Sequence, residues 1–141
     1  FYSIQFFISE YLMKETKQET HKRGLQNRRS VLGDEYVDKA IEGANELNAE
    51  FQDFITRYAW GEIWDRPSLD KQTRSLLTLA ILVTLGNDEE LKMHVRAAVT
   101  NGVSVEEIKE VFMHAAVYSG LPSANKAFKL AVPILQELGE L

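Results

Sequence analysis

Residues 61–102 read GEIWDRPSLDKQTRSLLTLAILVTLGNDEELKMHVRAAVTNG and join a turn rich in arginine and aromatic residues to a helix that carries His94. Asp70 can accept hydrogen bonds from the free amides of the helix predicted over 71–85. The apolar residues of this helix fall on nearly every face, which is typical of a helix that is buried on several sides. We therefore predict that residues 71–85 form the central helix of the fold.

Start and stop signals predict further helices on both sides of this segment. Asn87 and Ser104, each followed three residues later by a glutamate, fit the capping-box spacing. Towards the N-terminus, apolar residues between 37 and 58 recur at spacings of three and four, which predicts one long helix or two short ones with a buried stripe, ending at Gly61. A last helix is predicted to reach about Leu138. The pattern favours an all-α, single-domain bundle of five to six helices without a strand.

The N-terminal residues differ from the rest of the chain. The first twelve, FYSIQFFISEYL, are apolar and aromatic but lack the basic flank and cleavage site of a signal peptide. Met13 and the polar run KETKQETHKR after it are typical of a natural start with a disordered lead-in. We expect residues 1–23 to be an N-terminal extension, partly disordered or a cloning remnant, and residues 24–141 to form the helical domain. The alternative is an added helix that packs on a partner subunit.

Composition excludes several classes of function. The 141 residues carry a net charge of −5, which argues against nucleic-acid binding, and the one basic cluster, at positions 22, 23, 28 and 29, is expected to be solvated. No apolar run approaches the ~18 residues of a membrane span. The chain contains no cysteine, so disulfides, thiolate metal sites and thiol redox chemistry on its own side chains are excluded. A cytoplasmic location is the expectation.

Two histidines are candidates for chemistry. His94 falls about 60° from the centre of its helix's core stripe, where it can serve as a catalytic imidazole or as a structural histidine bonded to a carbonyl, and the structural interpretation is favoured. His114 lies one turn before Tyr118 and one turn after Glu110, so these three side chains can relay protons or form a hydrogen-bonded helix interface, and the interface is favoured. Neither histidine lies at the spacing of a known zinc motif, and we predict no metal.

Glu62 is a candidate acid or base because it is flanked by Trp60 and Trp64. Aromatic residues that pack inward would desolvate this carboxylate and raise its pKa. The alternative is an exposed loop glutamate near Arg66.

Cationic residues gather around the start of the predicted central helix. Arg66, Lys71 and Arg74 lie where free amides and the positive end of the helix dipole also favour anions. An anionic substrate of modest size fits this arrangement. The alternative is that these charges pair with the neighbouring carboxylates, Asp65, Asp70 and Glu62.

Three separated blocks, GEIWDRPSLDKQTRSLLTLA, ELKMHVRAAVTNGVSVEEIKEV and AVYSGLPSANKAF, resemble the carboxymuconolactone decarboxylase family. The resemblance extends from about residue 28 to 131. It implies an all-helical fold shared with alkyl hydroperoxidase D and a homo-oligomer, a trimer or hexamer. The hydroperoxidase branch uses a Cys-x-x-Cys pair ahead of its histidine, but Asn87 and Glu90 stand at those positions here. Thiol-based peroxide reduction is therefore excluded, even where a family label speaks of peroxiredoxin activity.

The resemblance also implies an activity: decarboxylation of gamma-carboxymuconolactone to beta-ketoadipate enol-lactone, in aromatic catabolism and without a cofactor. Its partner would be a small anionic lactone substrate. The implied catalytic residues are His94 and Glu62, and the implied substrate-binding residues are Arg66, Arg74, Trp64, Tyr118 and His114. Two alternatives are a family member that acts on a different small anionic lactone or acid, and a non-catalytic oligomeric binding protein.

Overall fold

The computed structural model describes residues 4–6, 8 and 15–141, which cluster into two compact units. Unit 1 contains the described residues up to Asn27 together with Ala44–Asp65, and unit 2 contains Arg28–Gly43 and Arg66–Leu141. The helices of residues 15–141 are α1 Lys17–Leu32, α2 Asp34–Glu42, α3 Ala49–Ile55, a π-helical segment Thr56–Ile63, α4 Lys71–Leu85, α5 Asp88–Thr100, α6 Val105–Ser119 and α7 Leu121–Glu137. The described part of the chain contains no strand, so the all-α class is confirmed, although these helices outnumber the five or six expected.

Helix α1 begins inside the polar run where the sequence predicts disorder, and that expectation is wrong for residues 17–23. The cause is a capping box at Thr16. The backbone N–H of Glu19 donates to Thr16 Oγ1 over 3.2 Å, and the N–H of Thr16 donates to Glu19 Oε2 over 2.8 Å. The predicted division of the chain at residue 23 stays a prediction, and residues 1–3, 7 and 9–14 of the expected extension lie outside the described residues.

Within unit 1, α1 and the π-helical segment approach each other backbone to backbone. A Cβ atom on Gly24 would lie 2.0 Å from the carbonyl oxygen of Thr56, and one on Gly61 would lie 2.7 Å from the carbonyl oxygen of Thr20. Only glycine fits at such distances. The sequence predicts that this helix ends at Gly61. In the structure it continues as a π-helix to Ile63, so the predicted end is wrong.

The apolar stripe predicted between residues 37 and 58 is buried only in part. Val37 is fully buried in unit 2, whereas Leu47, Phe51, Phe54 and Tyr58 are exposed in unit 1. The rings of Phe54 and Tyr58 stack on each other with centroids 5.4 Å apart. The prediction that these four residues are buried is therefore wrong for the single chain. Their spacing places them on an exposed apolar face instead.

Unit 2 holds the main hydrophobic core, formed by α4, α5, α6 and α7. Helix α4 contacts the other three, as expected for a central helix. Its opposite face stays open, because Leu77, Ile81 and Leu85 are exposed. The buried core consists of Leu79, Val83, Leu91, Val95, Ala98, Val103, Ile108, Phe112, Ala115, Ala127, Ala131, Ile134 and Leu135.

The sequence predicts three helix caps in unit 2, and the structure contains two of them. Asp70 Oδ1 accepts from the N–H of Thr73 over 2.8 Å, and Ser104 Oγ accepts from the N–H of Glu107 over 3.0 Å, so both caps are confirmed. Asn87 occupies the N-cap position of α5 but makes no side-chain capping hydrogen bond, so its predicted capping box is wrong. None of the described helices combines the length and apolar character that crossing a bilayer requires.

Candidate active site

His94 lies on the buried face of α5. Its neighbours along this face, Leu91, Val95 and Ala98, belong to the core, and only 7% of the His94 surface is exposed. The helical repeat had indicated a position at the border of the core. The fold of unit 2 instead covers the imidazole almost completely.

The burial of His94 lowers the pKa of its imidazole and leaves one ring nitrogen without a hydrogen-bond partner among the described residues. Desolvation lowers the pKa of His94 from 6.5 to about 4, so the ring is neutral at neutral pH. Its Nδ1 atom is buried and has no hydrogen-bond partner among the described residues. A carbonyl bonded to Nδ1, which the structural interpretation would supply, is therefore not present in this part of the chain. An unsatisfied buried nitrogen costs about 1–3 kcal/mol, and a catalytic role is one of the reasons for which proteins keep such an atom.

Arg66 and Arg74 are brought together at the start of α4. The Nη2 atom of Arg74 donates to the backbone carbonyl of Arg66 over 3.1 Å. Arg74 is half-buried, and its Nε atom, like Nδ1 of His94, is buried without a hydrogen-bond partner among the described residues. Arg66 is exposed. Asp70 caps α4 by accepting a hydrogen bond from the N–H of Thr73 through its Oδ1 atom.

Glu62 and Trp64 belong to unit 1, at the end of the π-helical segment. Trp64 is half-buried and stacks on Trp60 with ring centroids 4.9 Å apart. Glu62 is exposed, so the desolvation expected from the flanking tryptophans is not found in the single chain. Nearby Asp65 binds the Nε atom of Arg23 over 3.1 Å within the same unit. A catalytic role for Glu62 stays a prediction.

His114 and Tyr118 lie together on the outer face of α6. Their rings are tilted by 40° with centroids 5.0 Å apart. Both side chains are exposed, Tyr118 to 80%. The predicted neighbourhood of the two residues is thus present, while their predicted role as pocket residues stays a prediction.

Arg28 is a residue whose burial was not predicted from the sequence. It was grouped with a solvated basic cluster, yet only 5% of its surface is exposed, so that expectation is wrong for this residue. Desolvation lowers the pKa of Arg28, while the charges of Tyr36 and Glu90 act in the opposite direction. The available signal was its position: Leu25, Arg28 and Val31 follow one another at a spacing of three, which puts Arg28 on the apolar side of α1.

Two concave regions lie away from these residues. One, of about 310 Å³, is lined in unit 1 by Lys17, Gln18, His21 and Asp53. The other, of about 180 Å³, is apolar and lies between α6 and α7 in unit 2. Across the described residues, no three His, Asp or Glu side chains gather in a way that could hold a metal ion. Neither region includes a residue predicted for the site.

Comparison with known proteins identifies the family of this chain. The profile described as "Carboxymuconolactone decarboxylase family" matches residues 49–133. The 4-carboxymuconolactone decarboxylase of Acinetobacter baylyi is 45% identical over 122 residues, which cover 86% of this chain and 91% of that protein. The nitrosuccinic acid decarboxylase of Metarhizium robertsii is 44% identical over 116 residues, which cover 79% of this chain and 81% of that protein. A 4-carboxymuconolactone decarboxylase of Pseudomonas putida is 46% identical over 46 residues, 33% of this chain and 96% of that protein.

These matches identify the family and the class of reaction. The family profile covers more than half of the chain, and its range includes His94, Arg66 and Arg74. The chain has no cysteine, so a dithiol has no place in its chemistry. Two relatives of similar identity over most of the chain are both named decarboxylases. The chain therefore belongs to the carboxymuconolactone decarboxylase family and is a carboxy-lyase.

Proposed function

We propose that this carboxy-lyase converts gamma-carboxymuconolactone, also called 4-carboxymuconolactone, to beta-ketoadipate enol-lactone, in aromatic catabolism and without a cofactor. The proposal rests on one observation above all: a buried, neutral imidazole at His94 with an unsatisfied nitrogen. The high identity to a 4-carboxymuconolactone decarboxylase over 86% of the chain supports the choice of substrate.

The chemistry needs little from the protein. The bond between the ring carbon and its carboxylate breaks, carbon dioxide leaves, and the electron pair moves through the neighbouring double bond into the lactone carbonyl. The product of this step is a dienolate, which takes a proton on the carbon next to the carbonyl. The enzyme must therefore stabilise a developing oxyanion and deliver one proton.

A neutral His94 suits the first of these tasks. Neutral imidazole donates one hydrogen bond to the carbonyl oxygen without first having to lose or gain a proton. As negative charge develops on that oxygen, it raises the pKa of the nearby imidazole and favours the imidazolium form. The imidazole can then take up a proton from water and pass it to the dienolate carbon, which leaves the ring neutral again, or it can stabilise the oxyanion while water protonates the carbon directly.

The remaining roles follow the expectation from the family. Arg66 and Arg74 hold carboxylates of the substrate, and the unsatisfied Nε of Arg74 supports its part in this. Glu62 keeps the catalytic role, and Trp64 the substrate-binding role, that the resemblance implies.

Tyr118 and His114 line the pocket in the same proposal. Both are exposed in the single chain, so the proposal requires that another surface cover them. We propose a homo-oligomer, a trimer or hexamer, in which a second subunit does so. The exposed apolar faces of α4, with Leu77 and Ile81, and of α6, with Val117, support this. Light scattering on the purified protein measures the subunit number, and a monomer at working concentration contradicts the proposal.

A second candidate substrate is a small nitro acid. The relative named nitrosuccinic acid decarboxylase is 44% identical over 79% of the chain, almost as similar as the lactone enzyme. A nitro group accepts the electron pair released by decarboxylation, as the lactone carbonyl does. Both compounds also share a succinate skeleton, in which one carboxylate is lost and its neighbour on the next carbon is kept.

The test measures carbon dioxide release and loss of ultraviolet absorbance with freshly generated gamma-carboxymuconolactone, and carbon dioxide release with nitrosuccinate. His94→Ala should reduce turnover at least ~100-fold, the usual size of a general acid contribution. The control is His21→Ala, which removes a histidine of unit 1 that binds Asp53 over 2.8 Å and should keep full turnover. Unchanged turnover in His94→Ala removes His94 from the mechanism, and faster turnover of nitrosuccinate selects the second substrate.

A further inference from the structure

Two polar side chains of α1 bind the end of the π-helical segment within unit 1. Arg23 and Asn27 lie four residues apart, so they project from the same face of α1. The Nδ2 atom of Asn27 donates to the carbonyl oxygen of Trp60 over 3.0 Å. The Nε and Nη2 atoms of Arg23 donate to the carbonyl oxygen of Gly61 over 3.1 and 2.9 Å, and its Nη1 atom pairs with Glu15. Side chains of α1 therefore bind two successive carbonyls of the segment.

Asp65 binds the same two side chains a few residues further along the chain. Its Oδ1 atom accepts from Nδ2 of Asn27 over 2.9 Å, and its Oδ2 atom lies 3.1 Å from Nε of Arg23. Both carboxylate oxygens thus contact α1, and we call Arg23, Asn27 and Asp65 the clamp. Glu62 and Trp64 lie between the two bound carbonyls and Asp65 in the sequence. The clamp therefore holds the backbone on both sides of these two candidate site residues.

The end of the π-helical segment requires hydrogen-bond donors from outside. The N–H of its C-cap residue, Trp64, donates to the carbonyl oxygen of Ala59 over 2.9 Å. The carbonyls of Trp60 and Gly61 follow, and the last carbonyls of a helix lack an N–H partner within that helix. The donors of α1 satisfy these two carbonyls. They thereby stabilise the end of a helix type that is rare and that frequently occurs at functional sites.

The close approach of the two backbones explains how these side chains reach the segment. Gly24 lies between Arg23 and Asn27 in the sequence, and a Cβ atom on it would lie 2.0 Å from the carbonyl oxygen of Thr56. Because glycine has no Cβ, α1 packs directly on the backbone of the segment. The side chain of asparagine is short, so it reaches the carbonyl of Trp60 only where the backbones lie this close together.

The turn that the clamp holds also carries a stacked pair of indole rings. Trp60 is buried and Trp64 is half-buried, and their ring planes are inclined by 28° with centroids 4.9 Å apart. The clamp binds the carbonyl of Trp60 and the side chain of Asp65, the residue after Trp64. The relative position of the rings therefore depends on the backbone that the clamp holds. Trp60 and Trp64 are the two tryptophans of the chain, so the circular dichroism of coupled indoles reports on this turn.

We propose that Arg23, Asn27 and Asp65 are positioning residues for the decarboxylation, because they fix the turn that carries Glu62 and Trp64. The inference rests on the proposed function for the roles of Glu62 and Trp64, but it concerns the geometry of the turn rather than the chemical step. The clamp acts through these two residues and does not itself touch the substrate. A displacement of reacting groups by about 1 Å can lower a rate about 100-fold.

The test compares wild type with Asp65→Ala in kcat/KM for gamma-carboxymuconolactone, in the urea midpoint of unfolding and in the circular dichroism of the indole pair. The change removes the acceptor that joins the two donors of α1, so we expect kcat/KM to fall at least about tenfold. The signal of the coupled indoles should weaken in parallel. Asp65→Asn is the conservative variant. Its amide oxygen still accepts from Asn27, so it should restore part of the activity and part of the signal.

Asp53→Ala is the matched control. Asp53 is also an acidic residue of unit 1 with two partners, since its Oδ1 atom lies 2.8 Å from Nδ1 of His21 on α1 and its Oδ2 atom accepts from Nε of Arg57 over 2.9 Å. It precedes the start of the π-helical segment, at the opposite end from Glu62 and Trp64. Its replacement should change kcat/KM by less than about twofold, as is usual for an exposed ion pair, and should keep the indole signal.

Asn27→Ala shows whether the effect of Asp65 passes through the clamp. Residues that act through one network have effects that do not add. The kcat/KM of the double variant of Asn27→Ala and Asp65→Ala should therefore lie close to that of the less active single variant. Losses that add fully would mean that Asp65 acts on the reaction independently of Asn27, and they would overturn the inference.

A purely structural clamp gives a different result. In that case Asp65→Ala lowers the urea midpoint but keeps the kcat/KM of the folded protein and the indole signal, and this outcome overturns the inference. If Asp65→Ala does not fold, Asp65→Asn and Asn27→Ala take its place. Wild-type kcat/KM in both of these variants then overturns the inference.

The two proposals fail in different ways. A wild-type protein that releases no carbon dioxide from either substrate refutes the proposed reaction. The indole signal does not depend on a substrate, so an unchanged signal in folded Asp65→Ala still overturns the inference about the turn. A protein that decarboxylates the lactone with the same kcat/KM in wild type and Asp65→Ala retains the reaction and refutes the positioning role.

Discussion

The burial of His94 predicts a specific loss of folding stability in mild acid. The pKa of this imidazole is about 4 in the folded chain and 6.5 in the unfolded chain. Between these values the unfolded chain binds a proton that the folded chain does not, so stability falls as the pH falls. The loss begins near the unfolded value and is complete below the folded one.

The size of the effect follows from the gap between the two pKa values. The full gap corresponds to about 3 kcal/mol, since each factor of ten in proton affinity contributes about 1.4 kcal/mol. About 2 kcal/mol of this is lost between pH 7 and pH 5. With a urea m-value of about 2 kcal/mol per molar, the unfolding midpoint moves down by about 1 M over this range.

The assay compares urea unfolding of wild type and His94→Leu at the two pH values. Leucine is similar in volume and has no nitrogen to leave unsatisfied, so the variant should be as stable as wild type at neutral pH or slightly more stable. The variant should also lack the acid-induced loss of stability that His94 causes. The free energy of unfolding of the variant should therefore exceed that of wild type by about 2 kcal/mol more at pH 5 than at pH 7. Carboxylates elsewhere titrate in both proteins and cancel in the difference.

His114→Leu is the matched control, because it removes a histidine that is exposed on α6. This variant should keep the wild-type dependence on pH. An equal response of wild type and His94→Leu to acid would refute the reasoning, because it would mean that His94 is not desolvated in the folded protein. A carboxylate that approaches the ring in solution would produce that result.

Two further predictions concern the fold. Gly24→Ala should destabilise the protein by about 3 kcal/mol or more, because the new Cβ would lie 2.0 Å from the carbonyl oxygen of Thr56. Gly43→Ala, whose Cβ would meet no atom closer than 3.3 Å, should change the free energy of unfolding by less than about 1 kcal/mol, and equal effects of the two changes would contradict the close approach. Ser104→Ala should cost about 1 kcal/mol through its lost cap, whereas Asn87→Ala should cost less than half of that, as urea unfolding of both variants will test.

Local interactions explain what could be predicted of the fold from the sequence. A helix cap joins residues three positions apart, so the spacing of Asp70 with Thr73 and of Ser104 with Glu107 was sufficient. The same spacing gave a wrong prediction at Asn87, whose side chain makes no capping hydrogen bond. The capping box at Thr16 was present in the sequence as well, but the polar composition around it favoured disorder.

The candidate site could be predicted only in part. The resemblance implied roles for His94, Arg66 and Arg74, and helical periodicity placed His94 near the core. It did not indicate how deeply the imidazole is covered, because burial depends on residues from other helices of unit 2 that pack over it. The exposure of Glu62 was equally undetermined, since flanking tryptophans bury a carboxylate only if they face it.

The sequence by itself determined the family, the all-α class, the absence of thiol chemistry and the main helix starts, because each depends on composition or on residues near one another in the chain. Only the tertiary structure decided that Arg28 is buried while Arg29 is not, and that the charge of Glu90 acts on the pKa of Arg28. Sixty-two positions separate Arg28 from Glu90 along the chain. No local rule links two such residues, and their interaction arises because packing of the core brings helices from different parts of the chain together.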